Sequence, residues 1–245
     1  MSKKKKSNRQ QRLGMRRKQE RRGRMITIIL VVIAAVSVMF IVVYPMLKPS
    51  GEIATPEAYQ RPMENGTAMG DPNAPVVIDV FEDFQCPACK LYTEEVERRI
   101  VETYVASGQV YYVFHHFPFL DGASTTQESH QAANASMCAM EQNHFWDYHD
   151  ILFANWEGEN IGSFRDGNLI SFAESLELDM DLFTACFEEN RYEDEIQADY
   201  NSGLEMGVSG TPSVFANGQH ISPGHIPTFE DVQMAVEAAL NQSSQ

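Results

Sequence analysis

The chain has 245 residues, 43% of them hydrophobic and 22% charged, with four cysteines and a net charge of −15. That apolar content suffices for a folded core and excludes a disordered chain. The acidic balance excludes nucleic acid as a partner of the bulk of the protein, because phosphate backbones are gripped by net positive surfaces.

Charge is unevenly spread. Twelve of the 19 basic residues lie within residues 1–24, where Glu20 is the only acid, so this tail carries +11. It is followed by MITIILVVIAAVSVMFIVVY, Met25 to Tyr44, without a single charge. As a helix, that run would span roughly 30 Å, the thickness of a bilayer's hydrocarbon core. One transmembrane helix is expected, with the basic tail cytoplasmic and the rest of the chain outside. The basic run reads as a topology and anionic-lipid signal rather than a nucleic-acid arm. A cleaved signal peptide fits less well, since its apolar region is usually about 7–15 residues and ends in small residues.

From residue 45 onward only seven basic residues face 33 acidic ones, a net of −26. Residues 46–74 contain four prolines and little periodicity, and read as a tether with a short strand near its end. Globular structure is expected from about Pro75. Val76 to Phe81 reads as a buried strand. After Pro87, residues Tyr92, Val96, Ile100 and Tyr104 recur every fourth position and mark one side of a helix ending near Gly108. VYYVFHHF, Val110 to Phe117, reads as a second strand. The following ninety or so residues are mostly helical in pattern, with Cys138, Phe145, Tyr148 and Leu152 able to share one face and Leu182 and Cys186 repeating the idea at i and i+4. Ser213 to Ala216 and Gln219 to Ile221 flank Asn217-Gly218, a hairpin turn signal. Thr228 with Asp231 three residues on announces a last helix, to about Leu240.

The stretch VVIDVFEDFQCPACKLY holds a CxxC pair, which by itself fits a metal clamp, a structural staple or a redox centre. If Phe81 to Gln85 turn the strand into the helix, Cys86 lies at the helix N-terminus, with Pro87 at the favoured first position and Cys89 one turn along. The free N–H groups and positive helix end then favour a Cys86 thiolate, and Cys89, nearer the core, is the resolving partner. Glu82, Asp83 and Lys90 are candidates for tuning that thiolate or moving a proton. His115 and His116 are weaker candidates for the same role. Cys138 and Cys186, 48 residues apart, favour a structural disulfide; two buried thiols or a second redox pair are the alternatives. No metal site is expected, since no second CxxC completes the usual four-cysteine pattern.

VVIDVFEDFQCPACK, then a helical stretch containing MCAMEQNHFWDYHDILFANW, then GVSGTPSVFANG, resembles the DsbA-like thiol–disulfide oxidoreductases of the thioredoxin superfamily, in particular their membrane-anchored, BdbD-like branch. The resemblance covers roughly residues 70–240. It implies an α/β fold in which a thioredoxin domain is interrupted by an inserted helical domain, behind one N-terminal transmembrane helix. The expected organisation is a basic tail 1–24, transmembrane helix 25–44, tether 45–74, thioredoxin parts 75–121 and 207–245, and an inserted helical domain 122–206. The resemblance also implies that Thr211-Pro212 is the cis-proline loop facing the cysteines, where an extended substrate would pair with residue 211. The implied activity is donation of the Cys86–Cys89 disulfide to reduced exported proteins, with reoxidation by a quinone-linked membrane partner of DsbB or vitamin K epoxide reductase type and no cofactor in this chain. A reductase or isomerase, and a redox-inactive binding module for a membrane neighbour, are the alternatives.

Overall fold

The computed structural model describes residues 25, 31–33, 36, 37, 39, 52–57, 59–122 and 126–243. The chain divides into units 1–48 and 49–245. In the first, the described residues are helical and exposed. The basic tail 1–24 and most of the expected transmembrane helix 25–44 lie outside the described residues. Among the described residues no helix is long and apolar enough to cross a membrane.

The second unit is built on a five-stranded mixed sheet. Its strands are β1 (Ala68–Met69), β2 (Val76–Glu82), β3 (Val110–His116), β4 (Ser213–Ala216) and β5 (Gln219–Ile221), in the order β1-β3-β2-β4-β5. β2 and β3 run parallel, with Ile78 opposite Tyr112 and Glu82 opposite His116; the other pairs are antiparallel. Val76, Ile78, Val80 and Glu82 are buried on one face of β2. Val110, Tyr112, Phe114 and His116 are buried on the same face of β3. That face is apolar except where Glu82 and His116 interrupt it, both at the strand ends nearest the CxxC.

A parallel pair requires a crossover, and residues 87–105 supply it. Here α1 (Pro87–Tyr92) passes into a π-turn (Thr93–Glu97), then α2 (Arg98–Ile100) and a second π-turn (Val101–Val105). On a pure α-helix a strict four-residue repeat drifts by about 40° per step. The π-turns absorb that drift, and Tyr92, Val96, Ile100 and Tyr104 are all buried.

Among the described residues, five helices stand between β3 and β4: α3 (Glu128–Met140), α4 (Phe145–Ala154), α5 (Asp166–Ser175), α6 (Met180–Glu188) and α7 (Glu193–Glu205). Phe183, Cys186 and Phe187 form the buried face of α6, whereas Leu182 is 57% exposed. The expected pairing of Leu182 with Cys186 is therefore corrected: the stripe runs through the residue after it. α7 lies on the opposite face of the sheet, and its Gly203 is required there, since a Cβ would stand 2.7 Å from the Phe117 ring. The hairpin turns on Asn217 and Gly218, both with positive φ. The final helix, α8 (Phe229–Ser243), opens with a reciprocal cap in which Asp231 accepts from the Thr228 N–H and Thr228 Oγ1 accepts from the Asp231 N–H.

Globular structure begins before the expected Pro75. β1 pairs with β3, and Asn155, the residue that caps the end of α4, exchanges hydrogen bonds with the backbone of Ala54. Arg61 is buried, forking onto both Asp150 oxygens and reaching Glu97 at 3.2 Å. A two-residue strand and one buried arginine leave no periodic pattern among prolines, which is why this segment reads as a tether.

Two predictions follow from these contacts. Cys138 and Cys186 are bonded (S–S 2.02 Å) across a 48-residue separation, joining α3 to α6, and both are fully buried. Replacing both by alanine should cost roughly 4 kcal/mol by loop entropy, read as a lower denaturant midpoint with the CxxC unaltered. His115 bridges Asp79 of β2 (3.0 Å) and Asp199 of α7 (3.1 Å). Burial opposes its charge, but hydrogen bonds to Asp199 and Asp79 outweigh burial and raise its pKa to about 9. A raised pKa stabilises the fold below the ordinary value near 6.5, and that stabilisation disappears as pH rises through 9. His115→Gln should therefore cost on the order of 2 kcal/mol at pH 6 and little near pH 10, after discounting for partial solvent screening.

Candidate active site

β2 ends at Glu82, and the chain turns through Asp83, Phe84 and Gln85 into α1. The turn is pinned by its own acid: Asp83 accepts from the Gln85 N–H (2.8 Å), the Leu120 N–H (2.9 Å) and Ser129 Oγ (2.7 Å). Burial raises the Asp83 pKa and these three donors lower it, leaving it at about 6. Gln85 is itself buried, donating to Ser129 Oγ and accepting from the Asn160 N–H at 2.6 Å. Asp121 completes the cluster by capping the first N–H groups of α3, those of Ser129 and His130. The residues just before the CxxC are thus bolted to the helices that stand between β3 and β4.

Cys86 occupies the N-cap of α1, with extended φ and ψ and Pro87 behind it. It is 6% exposed, whereas Cys89 is fully buried, and both thiols are free. Cys86 Sγ lies 3.3 Å from the carbonyl oxygen of Thr211, whose peptide bond to Pro212 is cis. The Thr211 hydroxyl has no other partner. A neutral Cys86 donates to the Thr211 carbonyl; once ionised it can accept from the hydroxyl instead. The hydrogen bond from Cys89 does most to lower the Cys86 pKa, and burial works against it. The Thr211 side chain and the N–H groups of Cys89 and Ala88 add to the lowering, and the result is about 6. Burial pushes Cys89 the other way, well above an ordinary thiol, and its hydrogen bond to Cys86 adds to that. Two thiols one turn apart are thereby split into a thiolate and a proton carrier.

Glu82 lies under this pair, fully buried. Burial drives its pKa well up, Glu97 and Cys86 add to the rise, and only the Cys89 thiol favours its ionised form. Neither of its oxygens makes a hydrogen bond of normal geometry. Asp83 and Lys90, the other two tuning candidates, face elsewhere. Asp83 is turned to the Leu120 and Ser129 donors. Lys90 Nζ donates to the Phe153 carbonyl at 2.7 Å, with Glu94 at 3.8 Å, and so tethers α1 to the C-terminus of α4. Cys138 and Cys186, as a buried disulfide in the helical domain, are separate from the dithiol. His116 is buried among Phe84, Phe114 and Phe145, where burial lowers its pKa to about 4. A cavity of about 270 Å³ opens beside the cis loop, lined by residues 209–213, His220, His225 and Ile226. Among the described residues no cluster of histidine, cysteine or carboxylate side chains could hold a metal ion.

Several residues of this neighbourhood escape sequence reasoning. Gln85, Asp121, Ser129 and Asn160 meet across separations of up to 75 residues. Arg61, Glu97, His149 and Asp150 form a second buried polar cluster along the same helix. The one available signal was Glu97 itself, an acid inside the stripe that buries Val96 and Ile100.

A family model described as thioredoxin matches residues 63–238. The "Probable disulfide bond formation protein D" of Bacillus cereus is 25% identical over 177 residues, covering 71% of this chain and 79% of that protein. The "Na(+)/H(+) antiporter NhaA 3" of Salinispora tropica is 33% identical over 171 residues, but the chain spans only 24% of its length. The oxidised crystal structure of BdbD from Bacillus subtilis superposes with a TM-score of 0.64 at 21% identity, over 74% of this chain and 96% of that one. A parallel β2–β3 pair crossed over by the helix that carries the dithiol, a cis-proline loop against that dithiol, and a match running from residue 63 to residue 238 lead to one conclusion: the chain belongs to the thioredoxin family.

Proposed function

We propose that the chain is an extracytoplasmic protein thiol–disulfide oxidoreductase that works as a dithiol oxidase. The observation that carries this reading is the division of labour between Cys86, held as a near-surface thiolate, and Cys89, held as a buried thiol. In the oxidised enzyme a substrate thiolate attacks Cys86 Sγ, and the S–S bond to Cys89 breaks with the electron pair going to Cys89. Cys89 then takes a proton, for which Glu82 is the adjacent buried donor. A second substrate thiolate attacks the substrate sulfur of the mixed disulfide and expels Cys86 as its stabilised thiolate. The substrate leaves with a disulfide, and the dithiol keeps two electrons. The substrate segment lies extended along Thr211, where Pro212 offers no N–H to compete, beside the cavity that ends at Ile226.

Direction follows from which form is stabilised. A thiolate pKa of about 6 against an ordinary value near 8.5 to 9 favours the reduced enzyme. Because the pKa is depressed, that advantage grows as pH rises above 6 and is complete only above the ordinary thiol value. At pH 7 about one unit of it is expressed, about 1.4 kcal/mol or roughly 30 mV toward oxidising power. The charge-free Met25 to Tyr44 run and the basic tail support a membrane anchor with this domain outside. There the oxidising compartment supplies reduced exported proteins as substrates, and a quinone-linked membrane partner of DsbB or vitamin K epoxide reductase type takes the electrons.

Three measurements test this reading. After reduction, alkylation of Cys86 should rise through about pH 6 and level off near neutrality, with Cys89 unreactive. A single transition near pH 8.5 would remove the stabilised thiolate. Equilibration of Cys86–Cys89 against glutathione should give a potential above about −270 mV, the value of a reducing thioredoxin. Oxidation of a dithiol peptide should be abolished by Cys86→Ser; a potential at or below that value, or activity surviving Cys86→Ser, overturns the oxidase reading.

A further inference from the structure

The helix that leads into the cis loop, α7, carries Glu193, Asp194, Glu195, Asp199 and Glu205 and no basic residue. It lies on a domain already far to the acidic side, so its docking depends on positive charge brought from other elements. Histidines bring it. His130 of α3 stands between Asp121 and Glu193, with Nε2 3.5 Å from Glu193 Oε1 at the first turn of α7. His115 of β3 makes the closer pair: Nδ1 is 3.1 Å from Asp199 Oδ1, and Nε2 is 3.0 Å from Asp79 Oδ1 of β2. Its ring lies flat on Phe81, with centroids 4.6 Å apart, and the other Asp199 oxygen accepts from the His116 N–H at 3.0 Å. Among the described residues, Asp79 from β2 and Asp199 from α7 are the charged groups that face His115. Its chain neighbour His116 is kept neutral by burial.

From Asp199 the chain of contacts runs on to the active sulfur. One turn later Gly203 is pressed on the same aromatic group, where a Cβ would stand 2.7 Å from Phe117 and 3.0 Å from Phe81. The Gly203 carbonyl accepts from the Val208 N–H at 2.8 Å, and Val208 is buried with Phe81, Phe117 and Phe215. Three residues further, Thr211 holds its carbonyl oxygen 3.3 Å from Cys86 Sγ. Phe81 is common to every step: it carries His115 on its face, Gly203 beside it, and Ser213, the first residue of β4, as its strand partner. The cis loop is therefore held on both sides by the ring on which His115 rests.

We propose that His115 is a positioning residue for the exchange reaction: it clamps α7 to β2 and, through α7, keeps the Thr211–Pro212 loop at its height above Cys86. The arrangement has a repulsive counterpart. Without the imidazolium, Asp79 and Asp199 are two carboxylates facing each other across the space the ring fills, and like charges there push α7 off the sheet. The Thr211 carbonyl then moves away from the sulfur, and an extended substrate loses the backbone edge it pairs with. A small dithiol, which needs only the sulfur, is spared. Burial works against the His115 charge, the hydrogen bonds to Asp199 and Asp79 restore it, and the balance is a pKa of about 9. The clamp is thus closed at neutral pH and released as pH rises through that value. The inference rests on the proposed exchange at Cys86 and adds to it a residue on the far face of the sheet.

The test compares two reductants of the oxidised full chain, a peptide with two cysteines and dithiothreitol. His115→Gln removes the charge, and Asp199→Asn removes its partner while keeping an oxygen for the His116 N–H. In both variants KM for the peptide should rise on the order of fivefold or more while the rate with dithiothreitol holds, and the alkylation midpoint of Cys86 should move toward that of an ordinary thiol. In the parent, the peptide's disadvantage against dithiothreitol should grow from about pH 8 to about pH 10; in His115→Gln it should be present throughout. Thiol ionisation acts on both reductants and so drops out of the comparison. Unchanged peptide KM, or an equal loss toward both reductants, overturns the clamp. A parent ratio that stays flat with pH overturns it with no variant needed. An ordinary Cys86 thiol in the parent overturns the exchange reading and the clamp together, whereas a depressed one that neither variant moves overturns the clamp alone.

Discussion

Everything in this domain turns on keeping one charge and one proton apart over a single turn of helix. Cys86 needs free N–H groups and an edge of solvent; Cys89 needs the core. Both conditions are met only if the chain leaves β2, turns within three residues and starts a helix whose first turn points into the sheet. Pro87 fixes the first helical residue, and Asp83 spends its carboxylate on the turn instead of on the sulfur. The Thr211 carbonyl and hydroxyl close the space above. A shift of the helix start by one residue would rotate Cys89 out of the core and dissolve the difference between the two thiols.

The helices between β3 and β4 act on this site through polar anchors as much as through apolar packing. Ser129 and Asn160 hold Gln85 and the turn from one side, and the Phe153 carbonyl holds Lys90 from the other. His115 does the same work on the reverse face, joining β2 to α7 through Asp79 and Asp199. The turn before the dithiol, the helix that carries it and the strand behind it are therefore each tied to elements tens of residues away in the chain. Such clamps suit a catalyst that must present one sulfur at one height above the cis loop in both oxidation states.

How much of this could be read from residues alone depended on whether the signal was local. The strand–CPAC–helix order, the Asn217-Gly218 turn and the Thr228 cap are short-range chemistry, and the thioredoxin frame follows from them together with the resemblance. Lys90 is a tuning candidate by its nearness to Cys86 in the chain, but its ammonium finds a carbonyl at the end of α4, a contact that no spacing rule anticipates. Asp83 was similarly claimed by backbone donors from a distant loop. Residues 54–69 looked like linker because their anchoring is a single arginine, a two-residue strand and one asparagine. The π-turns were visible only as a repeat of four where an α-helix prefers 3.6. Glu97, an acid in an apolar stripe, was the one long-range feature that left a trace.

The Cys138–Cys186 bond joins α3 to α6, with neither sulfur open to solvent. Thiol–disulfide exchange proceeds by in-line approach of a thiolate to a sulfur, so once the domain has closed, no Cys86 of this or any other copy can reach that bond. The protein's interior is thus insulated from its own chemistry, and cycling of the dithiol cannot unstitch the scaffold that carries it. The same burial sets an order of events at birth. The internal bond must form while the chain is still open, before packing closes over both sulfurs.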